Sequence, residues 1–359
     1  MTAAQNAENL RGISLMTGSM ALFAFEDMFL KFSAQSLPTG EILLLTCIPG
    51  FLFFAGLART SGRRVLNREA FHPWVVARNL GEVIGTYGYI TALAAVPLAT
   101  VSAVLQAMPL AVTLAAALFL GETVGWRRWS AIGVGFAGVL LVIRPGMEGF
   151  QPAGLWVLVT VAGLALRDLA SRLIPAEYAT SQVSAWGVAS VAVLGAGMTL
   201  VQGAEAPSAW QGLMLAGAFV FGTAGYWAIT AATRKGDVSV VSPFRYSRLV
   251  FAIVVGWLAF AEYPDRMTLI GAALIIASGL YSFMRERIRA RASARAEAAR
   301  DPGLSTPAKP ALSTPAKPAL STPAQPALST PAQPALSTPA QPALSTPAKP
   351  ALSSVTKQG

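Results

Sequence analysis

Two arginines stand where an apolar stretch of chain would ordinarily hold none. Arg245 and Arg248, with Tyr246 between them, lie inside a hydrophobic run over residues 238–260. At 1.5 Å per helical residue they sit about 10 and 15 Å from its start, too deep for either head to reach an interface easily. A guanidinium held there can bind a carboxylate or phosphate through paired hydrogen bonds, and Tyr246 offers a ring on which a flat group can stack. Pro243 just ahead removes one helical hydrogen bond and frees backbone beside them. The structural alternative is an internal ion pair with Glu82 or Glu26 that only holds helices together.

Other polar residues fall inside apolar runs. Arg78, Asn79, Glu82 and Tyr87 share the run over residues 73–95. Arg78 and Glu82 are four apart, the spacing of an intrahelical pair, and the deeper Glu82 is a candidate carrier of a coupling proton. Gln106, with Pro109 after it, is a candidate hydrogen-bonding group in the run over 98–120. Glu26, Asp27 and Lys31 end the first run. Asp27/Lys31 and Asp168/Arg172 read as i,i+4 pairs, either helix-end anchors or gates, while Glu26 is turned from that face by about 100° and is a cavity candidate. Glu122 and Glu262 follow two of the runs in loop or cap positions and read as structural. The site list is therefore Arg245, Tyr246, Arg248, Gln106, Tyr87, Glu82 and Glu26 for substrate, with Asp27, Lys31, Asp168 and Arg172 as gate or ion-pair residues.

Several chemistries are disfavoured. Gly133-Val134-Gly135-Phe136-Ala137-Gly138 fits G-x-G-x-x-G, yet no strand precedes it and it lies inside an apolar run, so it reads as a helix-packing face, as does Gly81-xxx-Gly85. No phosphate-binding G-x-x-x-x-G-K-[ST] occurs. The single Cys47 and single His72 assemble neither a disulfide nor a metal site. Asp27 and Asp168 lack the Gly-x-Gly-Asp context of an intramembrane protease. We expect no enzyme activity, no metal and no cofactor.

Composition says what must position these groups. Of 359 residues 54% are hydrophobic and only 12% charged, against about 25% charged in an average soluble domain, and the mean hydropathy is +0.53. A bilayer is the fitting solvent. A spanning helix needs about 20 mostly apolar residues, and such windows occur near 12–31, 40–58, 73–95, 98–120, 127–144, 153–174, 182–201, 210–232, 238–260 and 267–284. Pro38, Ser61-Gly62, Pro97, Gly125, Pro145-Gly146, Pro175, Pro207, Gly236 and Pro264 fall between them. With a cytoplasmic N-terminus, the inside loops collect Arg59, Arg63, Arg64, Arg68, Arg127, Arg128, Arg167, Arg172, Arg234 and Lys235, and the outside loops only Lys31, Arg144 and Arg266. That bias sets both termini inside.

The net charge of +10 is no nucleic-acid signature, because residues 285–359 hold ten basic and three acidic residues and so carry most of it. Residues 285–300 are an arginine-rich flank able to meet anionic lipid. From Leu304 an octapeptide, Leu-Ser-Thr-Pro-Ala-Lys/Gln-Pro-Ala, repeats six times to Ala351. Two prolines per unit forbid helix, and a disordered extension is expected.

The chain also repeats itself. Tyr87-Gly88-Tyr89-Ile90-Thr91-Ala92 answers Tyr226-Trp227-Ala228-Ile229-Thr230-Ala231 at an offset of 139; Val101-Ser102 answers Val241-Ser242; Leu118 to Glu122 answers Leu258 to Glu262; Asp27 and Lys31 answer Asp168 and Arg172. Five spans per half would insert the halves in opposite directions. On Pro97-Leu98-Ala99, Pro109, Leu120-Gly121-Glu122, Gly133, Gly138, Arg144-Pro145-Gly146, Pro243-Phe244-Arg245-Tyr246, Glu262 and Gly271-Ala272, the chain resembles the EamA branch of the drug/metabolite transporter superfamily over residues 12–284. The second half has Ala261 where the family pattern has Gly before the glutamate. Pro-Phe-Arg-Tyr followed by Glu262-Tyr263-Pro264-Asp265 is similar to a branch that includes S-adenosylmethionine and riboflavin uptake systems.

The resemblance implies an all-α membrane protein of ten transmembrane helices in two inverted five-helix repeats, with a disordered tail. The expected segments are a cytoplasmic N-terminus (1–11), repeats at 12–144 and 153–284, a basic flank (285–300) and the octapeptide tail (301–359). The expected function is secondary transport of a small organic metabolite, anionic, zwitterionic or ring-bearing, such as riboflavin, S-adenosylmethionine or an amino acid, by alternating access across a cell inner membrane. The alternative is a receptor or assembly subunit acting through its basic tail. Expected partners are that solute, the bilayer, anionic lipid at 285–300 and a second copy of the chain as a homodimer, but no nucleic acid.

Overall fold

The structure is a computed structural model that describes residues 3–204, 206–235 and 238–300. The octapeptide tail expected to be disordered lies outside the described residues. Every regular element among them is helical: α1 (Ala3–Ala34), α2 (Thr39–Thr60), α3 (Pro73–Ala95), α4 (Leu98–Leu105), α5 (Met108–Phe119), α6 (Trp126–Ile143), α7 (Leu155–Ser171), α8 (Thr180–Gln202), α9 (Ala209–Lys235), α10 (Val238–Val241), α11 (Ser247–Phe260) and α12 (Arg266–Arg300). Prolines set several starts. Pro38 and Pro97 precede α2 and α4, and Pro73 opens α3, where a ring-fixed φ suits the first turn and the missing N–H is not needed.

Among the described residues, nine helical stretches are long and apolar enough to cross a membrane, α4 and α5 counting together as one. The helix α3 has the length, 23 residues or about 35 Å, but Arg78, Asn79 and Glu82 dilute its hydropathy.

Two expected spans are not continuous. The run over 98–120 breaks at Gln106–Ala107 between α4 and α5, and the run over 238–260 becomes α10, a 3₁₀ turn at Ser242–Tyr246 and then α11. Proline is the cause in both. Pro109 cannot donate to the carbonyl of Leu105 and its ring crowds that turn, and Pro243 acts likewise on the turn before it. The breaks fall at the same place in each half of the sequence.

Helices pack in pairs that join the two halves: α1 with α9, α2 with α8, α3 with α7 and α6 with α12. Small residues permit it, as expected where lipid gives no hydrophobic drive for association. A methyl on Gly81 would lie 2.5 Å from the Arg167 nitrogen, and one on Gly88 3.0 Å from the Trp156 carbonyl, so α3 and α7 run antiparallel in backbone contact. Gly138 and Gly271 bring α6 and α12 equally close, and Gly40 and Gly195 do so for α2 and α8. The G-x-G-x-x-G segment is thus a packing face through Gly135 and Gly138, while Gly133 faces open space.

These antiparallel pairs define two ends of the bundle. At the near end Gln211 at the start of α9 reaches the Ser36 carbonyl after α1 (3.3 Å), and Arg144 after α6 meets Asp265 before α12. At the far end Gln182 and Trp186 of α8 donate to the carbonyls of Arg64 and Val65 at 2.7 and 2.6 Å.

Gly121 (φ 65°) and Ala261 (φ 54°) both end a helix in the left-handed region. Ala261 is the departure from the family pattern, and it carries a strain that glycine would not, about 1 kcal/mol. Ala261→Gly should raise the thermal midpoint of the detergent-solubilised protein slightly, whereas Gly121→Ala should lower it; equal midpoints for all three proteins would contradict this.

Candidate functional site

Charge at membrane depth is tolerated when it is paired or faces water, and the structure pairs most of it. The first cluster joins α1, α3 and α11. Asp27, only 1% exposed, accepts both contacts from Arg248 Nη2 at 2.9 Å. The Tyr89 hydroxyl also donates to Asp27 and accepts from Arg248 at 3.2 Å. The guanidinium lies 5.3 Å from the centre of the Phe23 ring, a cation–π arrangement. Glu26, one residue before Asp27, lies against Gly222 of α9.

A second cluster joins α3 and α7. Glu82 bonds Arg78 Nη2 at 2.7 Å and Arg167 Nη1 at 3.3 Å, and Arg167 also holds Asp168 at 2.8 Å. Arg78 donates to Asn79 at 3.2 Å and fills the space above Gly187 of α8, where any side chain would collide with it. Arg167 is therefore not a loop residue. It sits within α7 and ties α3 to it.

The two helix breaks meet. Gln106 Nε2, at the break between α4 and α5, donates to the Arg245 carbonyl at 3.3 Å, in the 3₁₀ turn before α11. Broken spans at matching positions in two halves of a transporter expose backbone polar groups to a central site. The side chain of Arg245 is exposed, yet it lies within electrostatic range of Asp168 and Arg167 on α7 and of Arg248. Among the described residues, no carboxylate comes within ion-pair distance of Arg245, and no cation within that distance of Glu26.

The expected site residues thus divide. Arg245 and Gln106 sit together at the breaks; Arg248 and Glu82 are held in ion pairs; Glu26 is a separate carboxylate beside the first cluster. Tyr87 lays its ring edge-on to Trp156 at 5.3 Å, and the Tyr246 hydroxyl closes on Gly279 of α12, so both rings pack between helices. Of the expected i,i+4 pairs Arg78–Glu82 forms, whereas Asp27–Lys31 and Asp168–Arg172 do not. Asp27 binds Arg248 rather than Lys31, and Asp168 binds Arg167 rather than Arg172. Lys31 instead meets Glu262 at 2.6 Å, and Arg172 meets Glu122 at 3.2 Å. Both Asp27 and Lys31 face α3 and α11, and each takes an opposite charge there, Asp27 the Arg248 guanidinium within α11 and Lys31 the Glu262 carboxylate just past its end. A hollow of about 200 Å³ near the loop between α7 and α8, lined by Ser171, Ile174, Tyr178 and Val183 among others, contains no charged side chain and is no part of the site.

Apolar helices of spanning length, close glycine packing and buried charge balanced by charge define a multi-pass membrane protein. Residues 10–144 and 151–284 each match the EamA-like transporter family, and the chain belongs to that family of membrane transporters. It is 28% identical over 247 residues to the riboflavin transporter of Rhizobium johnstonii, covering 67% of this chain and 80% of that one. With the S-adenosylmethionine uptake transporter of Rickettsia felis it shares 24% over 282 residues (77% and 94%), and with a pseudopaline exporter of Pseudomonas aeruginosa 28% over 271 (74% and 93%). A solved structure titled only as the crystal structure of a protein has the same fold, with a TM-score of 0.50 at 22% identity over 78% of this chain and 99% of that one.

Proposed function

We propose that the protein is a secondary transporter of ten spans, in two inverted repeats at 12–144 and 153–284, that moves a small organic solute across a cell inner membrane by alternating access, with both termini in the cytoplasm. The pairing of helices across the halves and the matching breaks support the repeat, α3 serving as the span whose polarity hides it. The far end carries the arginine-rich loops and so faces the cytoplasm. There α12 continues past residue 285 to Arg300, and its arginines suit anionic headgroups.

The observation that carries the reading is Arg245: an exposed cation at the junction of two broken helices, without an ion pair among the described residues, while Arg78, Arg167 and Arg248 are all held by carboxylates. It offers paired hydrogen bonds to a carboxylate or phosphate. Glu26, for which no ion pair is found among the described residues, lies apart from Arg245 against Gly222 of α9, so the Arg245 cation alone suggests an anionic or zwitterionic solute. Solutes of the kind named for the relatives, riboflavin and S-adenosylmethionine, together with amino acids, form the natural test panel.

Uptake into proteoliposomes should identify at least one panel member. Arg245→Ala should lower its uptake by about tenfold or more, the loss of one charge-assisted contact, with unchanged protein yield and melting. No flux of any member, with Arg245→Ala equal to wild type in cells, would overturn the proposal.

A further inference from the structure

The ion pairs Lys31–Glu262 and Arg172–Glu122 are copies of one another with the halves exchanged. Lys31 and Arg172 stand at an offset of 141, Glu122 and Glu262 at an offset of 140. Each basic residue belongs to the first helix of one half and takes its carboxylate from the segment that follows the broken span of the other half. The two pairs occupy opposite ends of the bundle, since Lys31 lies beside the near-end loop at Val96 and Arg172 follows the far end of α7.

They are not in the same state. At the near end Lys31 Nζ holds Glu262 at 2.6 Å and also donates to the Val96 carbonyl at 2.6 Å. The other Glu262 oxygen accepts from the Leu98 backbone at 2.8 Å, and the Phe260 ring lies under the ammonium at 5.3 Å. The side chains are 5% and 19% exposed. At the far end the single contact is 3.2 Å, the side chains are 23% and 44% exposed, and Arg172 Nε is buried without a hydrogen-bond partner. One junction is complete, its counterpart half made.

We propose that these pairs are matched latches of the transport cycle, with Glu262 and Glu122 as positioning residues that close the near and far entrances in alternation. The inference rests on the transport reading. In this structure the near latch is shut and the far latch slack, the arrangement the proposal assigns to a state whose Arg245 site opens toward the far end. Exchange of conformation between the halves would give Arg172–Glu122 the short, multiply bonded form and loosen Lys31–Glu262. A desolvated ion pair is costly to break unless its charges regain water or a partner. Opening one end therefore proceeds with hydration there while the other end gains a dry pair.

The test crosslinks the latches. In a Cys47→Ser background, Lys31→Cys/Glu262→Cys and Arg172→Cys/Glu122→Cys are each treated with a short bifunctional thiol reagent in proteoliposomes. Each pair should crosslink and lose at least about tenfold in uptake, regained on cleaving the linker. In the four-cysteine protein the two crosslinks should exclude one another within a molecule, as read by mass spectrometry of the digested chain. Both closing together in one molecule, or either pair failing to crosslink, overturns the proposal. Charge exchange is the second arm: Glu262→Lys alone should fall about tenfold in uptake, and Lys31→Glu/Glu262→Lys should recover to within about threefold of wild type. A purely stabilising pair would change melting without crosslink exclusion. Exclusion requires no substrate, so absent flux in the wild-type protein counts against the transport reading alone.

Discussion

Asp27→Ala should remove most of the folded protein from the membrane. The substitution leaves Arg248 among α1, α3 and α11 with its carboxylate partner gone, and with Tyr89 no longer anchored to the carboxylate. Breaking a buried pair from one side costs about 3–5 kcal/mol in well-studied cases, comparable to much of a domain's net stability. The expected readings are a collapsed monodisperse peak in detergent and a strongly lowered melting midpoint. The double variant Asp27→Ala/Arg248→Met should recover a large part of the loss, because the charge left stranded by the single change is then absent. An Asp27→Ala protein that melts like wild type would show that Arg248 finds water or another carboxylate at no penalty.

The second large effect concerns Gly163. A Cβ there would lie 2.5 Å from the Gly85 nitrogen and 2.9 Å from its Cα, both backbone atoms that no rotamer change can move. Gly163→Leu forces α7 away from α3 and so strains the Glu82–Arg167 bond that crosses the same seam. Overpacking of this kind costs about 1–3 kcal/mol and sometimes more. A lowered midpoint with reduced transport is expected, while Gly197→Leu, which faces open space, should stay within about 0.5 kcal/mol of wild type. Equal midpoints for the two variants would refute close packing between α3 and α7 as the determinant.

Much of the architecture is legible in sequence because bilayer thickness imposes a length on apolar runs. The helices at 39–60, 73–95, 126–143 and 180–202 fall close to their apolar windows, and the breakers lie between them. The interrupted spans were half visible: Pro109 and Pro243 announce a disturbance, but a proline inside a spanning helix either kinks or breaks it depending on what else can satisfy the freed carbonyls. Partners of charged residues were much less accessible. Periodicity shows which face a residue shares and suggests local pairs four apart, yet Asp27 finds Arg248 at a separation of 221 residues and Arg167 finds Glu82 at 85. Arg167 also looked like loop charge only because it stands one turn from the end of α7. The Lys31–Glu262 and Arg172–Glu122 pairs carried a readable signal, since the internal repeat supplies the offsets; what it lacks is the rule that equivalent residues bond across halves instead of within them.

The packing of each early helix against a late one has a consequence for synthesis. Chains emerge N-terminus first, so α1, α2, α3 and α6 are made before α9, α8, α7 and α12, the neighbours they need. Until residue 248 has been added, Asp27 lacks its guanidinium, and until residue 262, Lys31 lacks its carboxylate. The nascent first half is consequently an unfinished surface of glycine grooves and uncompensated charge, and assembly of the bundle belongs to the last stage of elongation. Stop codons or frameshifts in the second half would leave a fragment with its hydrophobic segments intact but its acidic and basic groups unmatched in lipid, a substrate for membrane quality control rather than a half-transporter.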